Sequence, residues 1–252
     1  RFGIYQNLPH QLAMALGAGE TELLKMAAAY GQLVNGGKKI TPTLIDRVQD
    51  REGKTIFKHD DRPCPNCTAD LWLNQAPPEV PDDREQVADP ASAYQVVSML
   101  RGVVERGTGR RMRSLSHPVA GKTGTTNDSF DTWFMGFSPD LVAGVYVGFD
   151  NPRTLGPRAY GSNTAGPIWK QFMENALEGE PQVPFRIPSG IKMVRMNLDT
   201  GQPARPGDDK VILEAFKTGN SPSQDRRVIG QGQTAANDNP AGDGQDAGSG
   251  GG

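Results

Sequence analysis

The 252-residue sequence predicts a mixed α/β (α+β) fold in which helices cover an antiparallel sheet, with a small β extension and a disordered tail. Three observations predict it. Three extended runs rich in aromatic and small residues follow one another over residues 116–149 with no helical repeat between them, which favours adjacent antiparallel strands. Apolar residues recur at spacings of three and four on both sides of that block, the mark of helices with one buried face. From Lys217 onward there is no aromatic residue, and Val228 and Ile229 are the only large aliphatics, too little apolar surface to fold.

In chain order, residues 12–19 are small and apolar and end in glycines, which predicts a buried connection leading to a turn. A core helix is expected from Thr21, with Leu23, Ala27, Tyr30 and Val34 on one face and Asn35-Gly36-Gly37 as its stop. Residues 43–48 and 54–58 flank Asp50-Arg51-Glu52-Gly53, the pattern of a solvated β-hairpin. Asp89 followed by Pro90 signals a helix start, the carboxylate as cap and the proline at the first position. Ala93, Val97, Leu100 and Val104 form its apolar face, Arg101, Glu105 and Arg106 its solvated face, and Gly107 its end. Strands follow at 116–126 and 131–137, with a turn at Ser138-Pro139-Asp140. The third run, 141–149, is apolar almost throughout and is expected to be buried on both faces. Pro167 opens a helix with Ile168, Trp169, Phe172, Met173, Ala176 and Leu177 on its apolar side and a stop near Gly179. Residues 193–198 with the turn Asp199-Thr200-Gly201 predict the small β extension.

Charge is nearly balanced, with 27 basic and 29 acidic residues, which argues against a nucleic-acid partner or an anionic surface. The chain opens on Arg1, lacks the charged and apolar regions of a signal peptide, and has no apolar run near the length of a membrane span, so it reads as a fragment or a processed piece. The two cysteines, Cys64 and Cys67, lie in a Pro- and charge-rich stretch. Half a zinc site, a redox pair and a local disulfide are the three readings. Zinc lacks further ligands, because His10, His59 and His117 show no ligand spacing. A redox motif would open a helix, whereas these flanks are loop-like, so a disulfide clipping an exposed loop is the favoured reading and suits an oxidising compartment. No metal and no cofactor is expected.

The stretch Val119-Ala120-Gly121-Lys122-Thr123-Gly124-Thr125-Thr126 concentrates the chemistry. One ammonium, several hydroxyls and a backbone bared by glycine suit the binding of an acyl group and a carboxylate. Gly-Lys-Thr also closes a phosphate-binding loop, but that motif needs a glycine where Ser116 stands and a helix where an aromatic strand follows. Taken alone, the tripeptide favours a plain edge strand.

Its neighbourhood decides. The run 119–126, then Asp131-Thr132-Trp133-Phe134-Met135-Gly136-Phe137-Ser138-Pro139, then Gly148-Phe149-Asp150-Asn151-Pro152, resembles the end of the transpeptidase domain of bifunctional class A penicillin-binding proteins of the 1A type. Ala15-Leu16-Gly17-Ala18-Gly19-Glu20-Thr21, Ala27-Ala28-Ala29-Tyr30 and Asn35-Gly36-Gly37 are similar to the stretch before it, and Ala165-Gly166-Pro167-Ile168-Trp169 to its closing helix. The resemblance spans about residues 1–200 in order. It implies part of the serine β-lactamase/D,D-transpeptidase fold. It also implies D,D-transpeptidation, in which a serine attacks the D-Ala-D-Ala bond of a peptidoglycan stem peptide and passes the acyl group to an amine on a neighbouring strand. β-Lactams would acylate the same serine. Lys122 is then expected to supply positive charge and aid the proton relay. Thr123 and Thr125 would hold the substrate carboxylate, the Thr125 N–H would be half of the oxyanion hole, Gly124 would admit the substrate backbone, and Thr126 would complete the binding strand.

The family order is Ser-x-x-Lys, Ser-x-Asn, Lys-Thr-Gly, yet neither of the first two precedes Lys122. Ser189-Gly190-Ile191-Lys192 lies past the closing helix and is a chance match. The expectation is that the nucleophile, the second motif, a glycosyltransferase domain and a membrane anchor lie upstream, so that this chain alone is inactive. The expected units are 1–184, the C-terminal part of the transpeptidase domain with the hairpin 41–58 and the loop 59–88 as an insertion; 185–216, the β extension; and 217–252, the disordered tail. Peptidoglycan peptides and glycan strands are the implied partners, β-lactams the implied inhibitors, and the periplasmic side of the inner membrane the implied place. A D,D-carboxypeptidase or β-lactamase-like hydrolase and a non-catalytic cell-wall-binding module are the alternatives.

Overall fold

A computed structural model describes residues 1–222 apart from 65, 66, 68–70, 72, 75, 77 and 79. The tail beyond residue 222, where most of the expected disorder falls, lies outside the described residues. Three α-helices and seven strands are present among them, besides short 3₁₀ turns: α1 (Leu23–Val34), β1 (Arg47–Gln49), β2 (Thr55–Lys58), α2 (Pro90–Arg106), β3 (Ala120–Thr125), β4 (Asp131–Phe137), β5 (Val142–Gly148), α3 (Ala165–Ala176), β6 (Ile191–Asn197) and β7 (Val211–Lys217). β3, β4 and β5 form an antiparallel sheet in that order, with Ala120 opposite Phe137 and Asp131 opposite Gly148. No described helix is long and apolar enough to cross a membrane.

Local chemistry sets the helix ends. The Asp89 carboxylate accepts the Ser92 N–H at 2.9 Å and Pro90 takes the first position, so α2 starts where the dipeptide places it. α1 ends at Asn35, whose N–H bonds the Gly31 carbonyl while the Gly36 N–H bonds that of Leu33, and Gly36 and Gly37 take φ of 84° and 83°.

The central strand is β4, so its side chains are the buried ones: Thr132, Phe134 and Phe137 are fully buried. One face of the sheet packs on α3, where the Phe134 and Trp169 rings meet at a tilt with centroids 4.9 Å apart and join Val104, Met112, Met173 and Leu177. On the other face Phe137 meets Tyr30 of α1 and Phe185 edge-on, with Tyr94 and Val97 of α2 beside them. β6 and β7 pair along their length and sit on α2. Gln95 donates to the Ala215 carbonyl at 2.9 Å, Arg106 pairs with Glu214 at 2.7 Å and Lys217 with Asp89 at 2.9 Å.

Four expectations are corrected. Residues 12–16 form a short 3₁₀ turn, and Leu12 and Leu16 are 95% and 93% exposed, because no described element packs over this segment. β3 begins at Ala120 rather than at residue 116, since Pro118 has no N–H for a ladder and His117 turns to bond Ser116 and the Glu180 carbonyl. β5 is half-buried, with Tyr146 exposed, because it is an outer strand of the sheet and not a central one. α3 starts two residues before Pro167, and its buried stripe runs through Ala165, Trp169 and Met173 at steps of four to Leu177; Ile168 and Phe172 fall beside that stripe and are exposed. The hairpin β1–β2 is exposed throughout.

Candidate functional site

Among the described residues β3 lies at an edge of the sheet and pairs with β4 alone. Its hydrogen-bonding phase follows from one contact: the Thr126 N–H donates to the Asp131 carbonyl at 3.2 Å. Antiparallel ladders alternate bonded and non-bonded pairs, so Gly124 with Trp133 and Lys122 with Met135 are bonded pairs, whereas Thr125 with Thr132 and Thr123 with Phe134 are not. The backbone N–H and C=O groups of Thr123 and Thr125 therefore point away from β4 to the open edge. The Lys122 ammonium folds to that same edge and donates to the Thr123 carbonyl at 2.9 Å. One cation and the outward N–H of Thr125 thus share one rim of the sheet.

The hydroxyls are set by neighbours far away in sequence. Thr125 Oγ1 accepts the Gly161 N–H at 3.1 Å, and an oxygen that accepts keeps its own proton to donate. Thr123 Oγ1 lies 2.9 Å from Thr108 Oγ1 in the turn after α2. Gly161 presses against the sheet: a Cβ there would collide with the Trp133 carbonyl and come within 2.6 Å of the Gly124 carbonyl. The close backbone approach at Gly124 is thus made by the chain's own loop, and a Cβ on Gly124 would itself meet Trp133 Cβ at 3.0 Å. Behind this contact Thr132 and Thr164 share a 2.6 Å hydrogen bond, and Thr164 also donates to the Tyr160 carbonyl at 2.6 Å.

Residues 11–174 match the family model described as the penicillin binding protein transpeptidase domain. The chain belongs to the penicillin-binding transpeptidase family. Over 222 residues it is 46% identical to penicillin-binding protein 1A of Rickettsia bellii, an overlap of 87% of this chain and 28% of that protein. It is 35% identical to penicillin-binding protein 1A of Pseudomonas aeruginosa, over 88% of this chain and 31% of that one. The crystal structure of penicillin-binding protein 1A from Haemophilus influenzae superposes with a TM-score of 0.71 at 29% identity, covering 90% of this chain and 36% of that chain. The chain is thus a class A, 1A-type transpeptidase domain in part, spanning less than a third of the curated relatives.

Within this penicillin-binding transpeptidase chain, the structure gathers Lys122, Thr123 and Thr125 on one rim and sets Thr126 apart. The Thr126 hydroxyl donates to the Asp131 carbonyl and accepts the Asp131 N–H at 2.9 Å, closing the β3–β4 connection. Cys64 and Cys67 are joined as a disulfide with their Cα atoms 5.5 Å apart, in the loop far along the chain from the rim. Ser189 and Lys192 are exposed where β6 begins. Thr108 and Gly161 are the rim residues that motif reading missed; Gly107-Thr108-Gly109 after a helix and Tyr160-Gly161 before one were the available signals. A cavity of about 370 Å³ lies elsewhere, among Asn35, Tyr94, Pro139 and Phe185. The chemistry favours the rim over this cavity, because an edge strand is one wall of a site and by itself encloses no volume.

Proposed function

We propose that β3 is one wall of the acyl-transfer site of a serine D,D-transpeptidase acting on peptidoglycan stem peptides. The observation that carries this is β3 itself, where the Lys122 ammonium and the Thr125 N–H lie at the open edge and the Thr123 and Thr125 hydroxyls are held beside it by Thr108 and Gly161. In the reaction, a serine Oγ outside this chain attacks the carbonyl of the D-Ala-D-Ala bond. The tetrahedral oxygen accepts from the Thr125 N–H, and the terminal D-Ala carboxylate accepts from the Thr123 and Thr125 hydroxyls. Lys122 lowers the energy of the negative charge and assists transfer of the serine proton. D-Ala leaves, and an amine of a neighbouring strand takes the acyl group. A preorganised donor of this kind contributes about 2.7 to 4 kcal/mol to the barrier reduction. A β-lactam mimics the bond attacked and stops at the acyl-enzyme.

The serine, a Ser-x-Asn element, a glycosyltransferase domain and a membrane anchor belong upstream of Arg1, in a protein at the periplasmic side of the inner membrane. Residues 1–184 contribute to the transpeptidase domain, 185–216 form the β extension, and 217–252 a tail. The test is direct: the full-length protein is incubated with a fluorescent penicillin, and labelling is followed beside that of this chain alone. Labelling of a serine in a preceding Ser-x-x-Lys, with none on this chain alone, is the expected result. A reading frame without Ser-x-x-Lys and Ser-x-Asn before Arg1, or a full-length protein that resists labelling, overturns the assignment in favour of a cell-wall-binding module.

A further inference from the structure

The Thr108–Thr123 contact joins two hydroxyls that bring two protons to one hydrogen bond of 2.9 Å. One proton stays available whichever oxygen donates. Thr108 is held firmly enough to make this count. The carbonyl of Val103 accepts both the Gly107 and the Gly109 N–H at 3.0 Å, folding the chain back on the end of α2 with Thr108 between the two glycines. A Cβ on Gly107 would meet the Val103 backbone at 2.9 Å and one on Gly109 at 3.2 Å, so the turn is packed against its own helix. On one side Arg106 is tied to Glu214 of β7 at 2.7 Å, and on the other Met112 is fully buried beneath α3. Thr108 is nevertheless exposed on the side of the β3 rim.

The other edge threonine follows the same rule: Thr125 accepts from the Gly161 N–H and keeps its proton. Two hydroxyls fixed this way form a donor set for an acceptor without protons of its own, and a carboxylate is such an acceptor. We infer that Thr108 is a positioning residue of the transpeptidase site: it orients the Thr123 hydroxyl, so that the pair acts as one donor toward the carboxylate of the substrate or of a β-lactam. The inference rests on the function proposed above and deepens it, since it makes selection of a free carboxylate depend on the turn after α2 as well as on β3. A chain bonded in series also strengthens its outer donor, because a hydroxyl that accepts is polarised to donate.

The test uses the full-length protein with Thr108→Val and Thr108→Ser. Acylation is measured over a range of concentrations with a penicillin bearing its free carboxylate and with the methyl ester of that penicillin, separating apparent binding from the acylation step. Valine keeps the shape and removes the hydroxyl. It is expected to lower the second-order constant for the free acid by about tenfold, mainly through binding, while the ester changes by less than about twofold. Serine restores the hydroxyl and is expected to hold the wild-type value. A valine variant within about twofold of wild type on the free acid overturns the inference, as does an equal loss on acid and ester, which marks a merely structural effect. Wild-type protein that reacts with neither compound overturns the transpeptidase assignment itself, an outcome distinct from both.

Discussion

Gly161→Ala perturbs the site without replacing any group that donates to the substrate. Gly161 does not occupy the left-handed region, so alanine suffers no backbone penalty there and the cost is steric. A Cβ would lie 2.6 Å from the Gly124 carbonyl oxygen and 3.1 Å from the Gly124 nitrogen, closer still to the Trp133 carbonyl, and backbone atoms of a paired ladder cannot swing aside as a side chain would. The loop must lift by several tenths of an ångström, which lengthens the 3.1 Å bond from the Gly161 N–H to Thr125. Overpacking of this kind costs about 1–3 kcal/mol, and a lost neutral hydrogen bond adds about 1. Near 3 kcal/mol in all, the melting temperature falls by roughly 6–12 °C for a domain of this size. With its acceptor role unfilled, the Thr125 hydroxyl is free to rotate, so acylation by a fluorescent penicillin drops by roughly tenfold or more even at temperatures where the variant is folded. Gly156→Ala is the control: φ there is 103° and no atom of the described residues lies within 4 Å of the added carbon, so alanine destabilises through the backbone while acylation of the folded protein is unchanged. Wild-type melting and wild-type acylation in Gly161→Ala would refute the claim that this loop sets the β3 rim.

The fold sets three further outcomes. Lys122→Ala in the full-length protein is expected to slow acylation by about a hundredfold, and an unchanged rate removes the ammonium from the mechanism. Trp169→Ala removes a fully buried ring that packs at a tilt on Phe134 and donates to the Ala143 carbonyl at 3.0 Å, and chemical denaturation should register a loss of about 3–5 kcal/mol. The Asp89 carboxyl is held down to about 2 by its bonds from Lys217 and then Ser92. A lowered carboxylate stabilises the fold above the unfolded value near 3.8 and loses that effect as pH falls toward 2, so Asp89→Ala should narrow the stability difference from wild type progressively over that window. A difference that persists undiminished at pH 2 argues that the ionised form is not what matters.

The start of α2 was legible in sequence because its cause is local: Asp89, Pro90 and Ser92 act within one turn. The strand 120–125 was legible for a similar reason, its chemistry being contiguous. Thr108 and Gly161 were not, since each reaches β3 across 15 and 36 residues through the way α2 ends and the loop before α3 folds back. Periodicity in α3 announced an apolar face but not its width, which is fixed by how much of the helix the sheet covers, and this left Ile168 and Phe172 outside. β7 escaped notice because Val211, Ile212 and Leu213 run without alternation and a strand is defined by the partner it finds, here β6. The apolar run of β5 pointed to burial on both faces, and the strand is half-buried, because composition does not tell sheet order.

An edge strand is a hazard for most proteins, since its free N–H and C=O groups invite pairing with another chain. β3 is short, carries a lysine at that edge and is capped by the 161 loop at one end and the Thr108 turn beside it, all of which oppose such pairing. The same features make the free groups useful. An N–H that faces water loses little when no ligand is present, and it needs no rearrangement when negative charge develops beside it. Had Thr125 lain one residue earlier or later in the ladder, its N–H would have been bonded into β4 and its hydroxyl turned to the opposite face, away from Gly161. The register that begins with Thr126 and Asp131 therefore determines which residues can serve the proposed reaction. A one-residue slip would leave the composition of the rim intact and remove its chemistry.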